Sequence, residues 1–313
     1  MVYFENGTPK VANSVHFGCD VMWGNGYDKM VNSRRNGVYN YYEKQVAFPN
    51  DDELAAVNSE MTKEGGNAST RDILNFWISN ADQAKVGDCS FTELLKYDCK
   101  PLFLYHYAAI IYYMARMFHS HGLACPRAVT FSGNGSRYID QYMTSDINTL
   151  TAMTMIVFRA VYGDDIQDIQ LILPDYRKEA TCYGGLYHGN SQVSPRTIVF
   201  QGVDDAEYET VEELQNAYEK NGLRDNIVAN VRELNTLFVQ MLQTLVRMDR
   251  IDSLDISAVG QDLSEDVADS LDKNFQQEVV ATYPASSAYR DSLFFIPVID
   301  NILKLTDITS YKK

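Results

Sequence analysis

An apolar run from Leu102 to Phe118, LFLYHYAAIIYYMARMF, constrains the fold more than any other part of the sequence. A helix apolar on nearly every side belongs either in a bilayer or in the middle of a folded core. A bilayer span takes about 20 consecutive apolar residues. This run falls about one turn short of that length, and it carries His106 and Arg116, which hydrocarbon disfavours. It therefore reads as a helix over about 99–121, buried against a sheet and stopped at His121-Gly122. Wrapping such a helix on all sides takes much apolar surface, and 313 residues with 45% hydrophobic content supply it.

Charge narrows the function classes. Against 42 acidic side chains stand 27 basic ones, for a net charge of −15, which argues against nucleic acid as a partner. Five cysteines occur (Cys19, Cys89, Cys99, Cys125 and Cys182), without a C-x-x-C pair or zinc-knuckle spacing to histidine. Reduced thiols in a cytoplasmic chain are the simplest expectation. The start, MVYFENGTPK, has no basic segment leading into an apolar run. On that reading the N-x-S/T triplets at Asn6, Asn67 and Asn134 are chance matches.

Along the chain, Val2-Tyr3-Phe4, the Asn6-Gly7 turn and the run Lys10 to Phe17 read as a β-hairpin. A region over 27–98 is less apolar and reads as a helical inserted subdomain, with helix starts near Pro49–Glu53, Asp72 and Ser90. After the apolar helix come a strand at Ala128–Phe131, a helix over 137–162, a strand at Ile169–Leu173, a helix over 177–187 and a strand at Thr197–Phe200. That alternation predicts an α/β sheet. Residues 203–313 read as a helical C-terminal extension, with helices over 211–220, 225–248, 264–280 and 291–305.

The most informative motif is Ala128-Val-Thr-Phe-Ser-Gly-Asn-Gly-Ser-Arg-Tyr-Ile139, an apolar strand that runs into two glycines and then a helix. Glycines there let a backbone approach a ligand closely, and a helix start offers free N–H groups. Tyr138 stands where G-x-G-x-x-G needs its third glycine, G-x-S-x-G is absent here, and no G-K-[ST] exists anywhere. An ordinary strand–turn–helix corner would use the same residues.

This motif resembles the adenosine motif of the actin-like ATPase superfamily, which includes actin, sugar kinases and the heat-shock chaperone ATPase domains. Its flanks are similar too. The apolar helix and Gly122-Leu123-x-x-Pro126 precede it. Leu171-Ile-Leu-Pro-Asp-Tyr-Arg-Lys-Glu-Ala-Thr-Cys-Tyr-Gly-Gly-Leu186 follows it, like the strand and helix that lie under the nucleotide in that family. Val15-His16-Phe17-Gly18 and Trp23-Gly24-Asn25-Gly26 sit where the family has its third strand and a glycine loop. The likeness covers about residues 1–202 and implies a ribonuclease H-like lobe.

By resemblance, Ser132 to Arg137 form the nucleotide-binding loop (Ser132, Gly133, Asn134, Gly135, Ser136 and Arg137): the backbone of Gly133, Asn134 and Gly135 would pass near adenosine and sugar, and Ser136 and Arg137 at the helix start would touch ribose or base edge. The family's two phosphate loops, Asp-x-Gly and Asp-x-Gly-Gly-x-x-x-Asp, are both missing here. The chain thus resembles the C-terminal lobe alone, as a fragment, a late start or a degenerate relative. The missing N-terminal lobe would be its partner, and ATP with Mg²⁺ the ligand of the two-lobed parent. Hydrolysis by this chain alone is not expected. The competing class is a non-catalytic assembly or filament partner derived from that fold.

Other candidates have plainer explanations. Asp164, Asp165 and Asp168 read as a solvated loop. Asp249 to Asp255 lacks the glycine and glutamate of an EF-hand. His119 and His121 near Cys125 suit a helix C-terminus without metal. Glu207, Glu209, Glu212 and Glu213 read as a charged helix start, and Tyr39, Tyr41 and Tyr42 as packing residues.

Overall fold

A computed structural model describes residues 1–13, 17–18, 20–23, 38–144, 146–176, 196–197, 210–247, 255–280 and 293–306. The expected loop at 24–26 and the expected helix over 177–187 lie outside them. The apolar run forms helix Lys100–Ser120. Pro101 sits in its first turn, where a missing N–H costs nothing. Beyond Lys100, Ile110, Arg116, His119 and Ser120, every residue of this helix is buried.

The chain enters through an antiparallel hairpin, β1 (Val2–Glu5) and β2 (Thr8–Ala12), whose turn places both Asn6 and Gly7 at positive φ. Next come α1 (Asp20–Trp23), α2 (Val38–Tyr42), β3 (Val46–Ala47), α3 (Asp52–Met61), α4 (Thr70–Ser79), β4 (Lys85–Val86), β5 (Cys89–Ser90) and α5 (Phe91–Tyr97). Capping boxes at Ser69/Asp72 and Ser90/Glu93 start α4 and α5. The described part of the 27–98 region thus holds a three-stranded sheet, β3-β4-β5, as well as helices. It packs round a fully buried Trp77, whose Nε1 donates to Asn58 Oδ1 at 2.7 Å.

Then follow the long apolar helix α6 (Lys100–Ser120), β6 (Ala128–Thr130), α7 (Ile147–Tyr162) and β7 (Gln170–Ile172). β6 and β7 pair in parallel, Val129 opposite Leu171, with α7 as the crossover between them. β8 (Arg196–Thr197) runs parallel to β2. Among the described residues five more α-helices follow: α8 (Val211–Lys220), α9 (Leu223–Arg247), α10 (Ile256–Glu265), α11 (Val267–Asn274) and α12 (Phe295–Lys304). The architecture is mixed α/β with helices dominant, and its sheets are small.

Two expectations need correction. The helix expected over 137–162 is broken: a 3₁₀ turn (Asn134–Arg137) and a π turn (Ile139–Met143) come first, and Thr144 is extended. Asp146 then caps α7, accepting from the Asn148 N–H and the Thr149 hydroxyl. The helix expected over 264–280 likewise divides at Asp266 and again at Phe275, where a π turn begins.

α6 is covered mainly by α7, α9 and the π turn Ile139–Met143, with α12 also against it, rather than by a broad sheet. Its tyrosine hydroxyls set the register of that packing, because a buried hydroxyl without a partner costs about 1–3 kcal/mol. Tyr105 donates to Asn235 on α9 at 2.7 Å and accepts from Asn301 on α12 at 2.8 Å. Tyr107 pairs with Thr154 on α7 at 2.5 Å. The Tyr112 hydroxyl lies 2.7 Å from Glu233 Oε2 on α9, and both groups meet Arg116. Burial raises the pKa of all three tyrosines, so each stays a neutral phenol. One hydrophobic cluster runs from Tyr3 to Leu305, and among the described residues no helix is long and apolar enough to cross a membrane.

Two outcomes follow from this packing. A chain ending at residue 202 lacks the partners of Tyr105 and Tyr112; it should melt without a cooperative transition in circular dichroism and bind the dye ANS. Asn235→Ala removes the acceptor for Tyr105 and the donor to Leu263 O. It should cost about 2–4 kcal/mol in urea unfolding.

Candidate functional site

The glycine loop leaves the carboxyl end of β6, beside the carboxyl end of β7. The Phe131 N–H donates to Ile172 O at 3.3 Å, which fixes where the loop begins. In open parallel sheets ligands bind at the carboxyl ends of strands, so the parallel pairing gives this loop the position of a binding loop. Gly133 has φ +88°, a conformation that residues with a Cβ rarely adopt. No atom lies within 4 Å of where its Cβ would be, so backbone conformation rather than crowding requires glycine here.

The chain then tightens into the 3₁₀ turn, which is closed by the Ser136 N–H and the Ser136 hydroxyl, both donating to Gly133 O at 3.1 and 2.7 Å. Ser136 is buried and its hydroxyl proton is used within the loop. Ser132, Gly135 and Arg137 are exposed. Asn134 opens the turn. The six residues singled out in the sequence thus form one loop with an outer edge of Ser132, Gly135 and Arg137 and an inward staple at Ser136. Beside it, Ile172 is 40% exposed, and Tyr176, four residues further on, is 70% exposed.

Tyr138, where a dinucleotide fingerprint would have glycine, turns inward and anchors the loop's exit. Its hydroxyl lies 2.9 Å from Nδ1 of His106, a residue in the middle of α6 with 1% exposure. The other ring nitrogen lies 3.2 Å from Gly18 O. A carbonyl only accepts, so Nε2 carries the proton and Tyr138 donates to Nδ1. Burial holds the His106 pKa down at about 4, and the ring is neutral at pH 7. The sequence carried one signal of this role, a lone histidine inside an apolar helix, but nothing in it linked that histidine to Tyr138.

The remaining candidates stay apart. Asp168 pairs with Arg159 at 3.2 Å on an exposed surface. His121 Nδ1 lies 2.7 Å from Met117 O at the end of α6, and His119 stands edge-on to Tyr162. Tyr39 stacks on Trp77 and donates to Glu43, which with burial raises its pKa to about 12. Glu213 completes the capping box of α8 with Thr210. Glu207, Glu209 and Asp249 lie outside the described residues. A groove of about 750 Å³ between α7 and α9, floored by Met155 and Leu237, shares no residue with the glycine loop. Among the described residues no group of three His, Cys, Asp or Glu side chains is placed to hold a metal ion.

No protein-family model, curated protein or solved structure matches the chain.

The neutral His106 makes stability depend on acidity. The unfolded chain takes up this proton near pH 6.5 and the folded chain only near pH 4. Its contribution is complete above pH 6.5 and falls away as the pH drops toward 4, by about 3 kcal/mol. Urea unfolding of the wild type and His106→Gln at pH 7.5, 5.5 and 4.5 should give a steeper acid loss for the wild type.

Proposed function

We propose that the chain is the adenosine-binding lobe of an actin- or heat-shock-type ATPase fold, a ribonuclease H-like lobe that grips nucleotide with the Ser132–Arg137 loop. The observation that carries this reading is the loop's placement at the carboxyl end of β6 beside parallel β7, with Gly133 in the left-handed region. Exposed Ser132 and Gly135 offer hydrogen-bonding groups to ribose and base, exposed Arg137 belongs to the same turn, and exposed Ile172 gives an apolar edge for a base to lie against. A pocket built from backbone needs no basic patch, so it is compatible with a net charge of −15.

The resemblance also accounts for what this lobe does not do. Phosphate clamping belongs to loops that this sequence lacks. In this reading Mg²⁺ comes with ATP and is held by a second lobe. The chain alone binds nucleotide and leaves the phosphoanhydride intact.

Isothermal calorimetry tests this directly. Adenosine and Mg²⁺·ATP should bind with affinities within about tenfold of each other, because the phosphates add few contacts. Gly133→Ala strains the loop by about 1–3 kcal/mol and should weaken both ligands about tenfold or more. Absence of binding for both ligands to the wild-type chain overturns the nucleotide reading and favours the alternative, a non-catalytic assembly protein.

A further inference from the structure

The inner side of the glycine loop joins a stack of rings that reaches the far end of the chain. His106 lies face to face with Phe17, centroids 4.9 Å apart at 20°, and Phe17 lies face to face with Phe295 at 4.2 Å and 17°. Tyr138 meets the same imidazole edge-on at 5.3 Å and 75°. Phe295 is the first residue of α12. One imidazole therefore touches the segment after β2, the exit of the glycine loop and, through Phe17, the last described helix.

We infer that His106 is the positioning residue of the glycine loop, and that α12 sets its position through the stack Phe295–Phe17–His106. A leucine at this place would bury as much apolar surface without the desolvation cost of an imidazole. What leucine cannot supply is a donor and an acceptor on opposite sides of a flat ring, and His106 uses both. The loop needs such an anchor. Its outer residues are exposed, and its short 3₁₀ turn is closed by Ser136 onto Gly133 and by the Tyr138 N–H onto Ser136 O; exposed segments of this kind open at low free energy. Tyr138 is the first buried residue after Arg137, so the hydroxyl that holds it fixes where the loop leaves the sheet.

The stack gives the C-terminal helices a part that the resemblance to a nucleotide lobe does not explain. A ligand that orders the loop favours the arrangement in which Tyr138, His106, Phe17 and Phe295 are in contact. By linkage, anything that holds α12 in place favours ligand binding equally. This regulatory consequence rests on the nucleotide reading of the loop, whereas the positioning role does not.

Hydrogen–deuterium exchange on the full chain tests the positioning role without ligand. Tyr138→Phe removes one oxygen and keeps the ring, so it should fold. It should raise exchange over residues 131–138 about fivefold, the scale of one lost hydrogen bond, with α3 to α5 unchanged. His106→Leu should do the same, and His106→Gln, which keeps a donor and an acceptor, should restore part of the protection. Phe295→Leu, which breaks the stack but keeps a buried apolar side chain, should raise exchange over the same residues by a smaller factor. Unchanged exchange over 131–138 in folded Tyr138→Phe, or an equal rise throughout α6 and α9, overturns the positioning role; Phe295→Leu without a local effect overturns the part given to α12. In calorimetry ATP affinity should fall in the same order as protection. If the wild type binds neither ATP nor adenosine while the exchange pattern holds, the nucleotide reading falls and the positioning role stands.

Discussion

Four tyrosines of α6, Tyr105, Tyr107, Tyr112 and Tyr113, lie at zero exposure in the middle of the molecule. Hydrophobic burial is non-directional and would let neighbouring helices slide along α6. A buried hydroxyl is directional, and leaving it unpaired costs about as much as several buried methylenes contribute. Asn235, Asn301, Thr154 and Glu233 answer three of these hydroxyls from α7, α9 and α12, and in doing so fix the placement of those helices. Arg116, the charge that marked the apolar run as unsuited to a bilayer, closes the same system by pairing with Glu233.

The candidate site obeys the same rule between Tyr105 and Tyr107 of the same helix. His106 is another polar group carried inward by α6, and its two nitrogens are answered by Tyr138 and Gly18. The first of these residues ends the glycine loop and the second belongs to the segment after β2. The requirement to satisfy a buried ring thus brings together parts of the chain that lie far apart in sequence. Through Phe17 and Phe295 it also joins the C-terminal helices to the loop, so the described helices between Val211 and Lys304 are part of the core rather than an appendage to it.

Much of the local structure was legible in the sequence because local rules govern it. The apolar run and its glycine stop gave α6 nearly to the residue, Asn6-Gly7 gave the hairpin turn, and the helix starts expected at Ser90 and Val211 fell within a residue of those observed. The β3-β4-β5 sheet was not legible, since its two-residue strands are shorter than any alternating pattern. The break between Arg137 and Ile147 was hidden because Ile139, Met143 and Leu150 keep helical spacing across it. Only the cap at Asp146 reveals that a new helix begins.

By itself the sequence determined that a wholly apolar helix had to be buried, that Gly133 would allow a turn at the end of a strand, and that the chain would be a mixed α/β protein. These follow from side-chain polarity and backbone freedom, which are properties of single residues and their neighbours. Tertiary structure alone decided that Tyr138 would meet His106, that Phe295 would stack on Phe17, and that helices rather than a broad sheet would cover α6. The partners in those contacts stand 32, 88 and 196 residues apart where buried polar groups are concerned, as for Tyr138, Gly18 and Asn301. Pairing over such separations depends on how whole elements pack, and no local pattern records it.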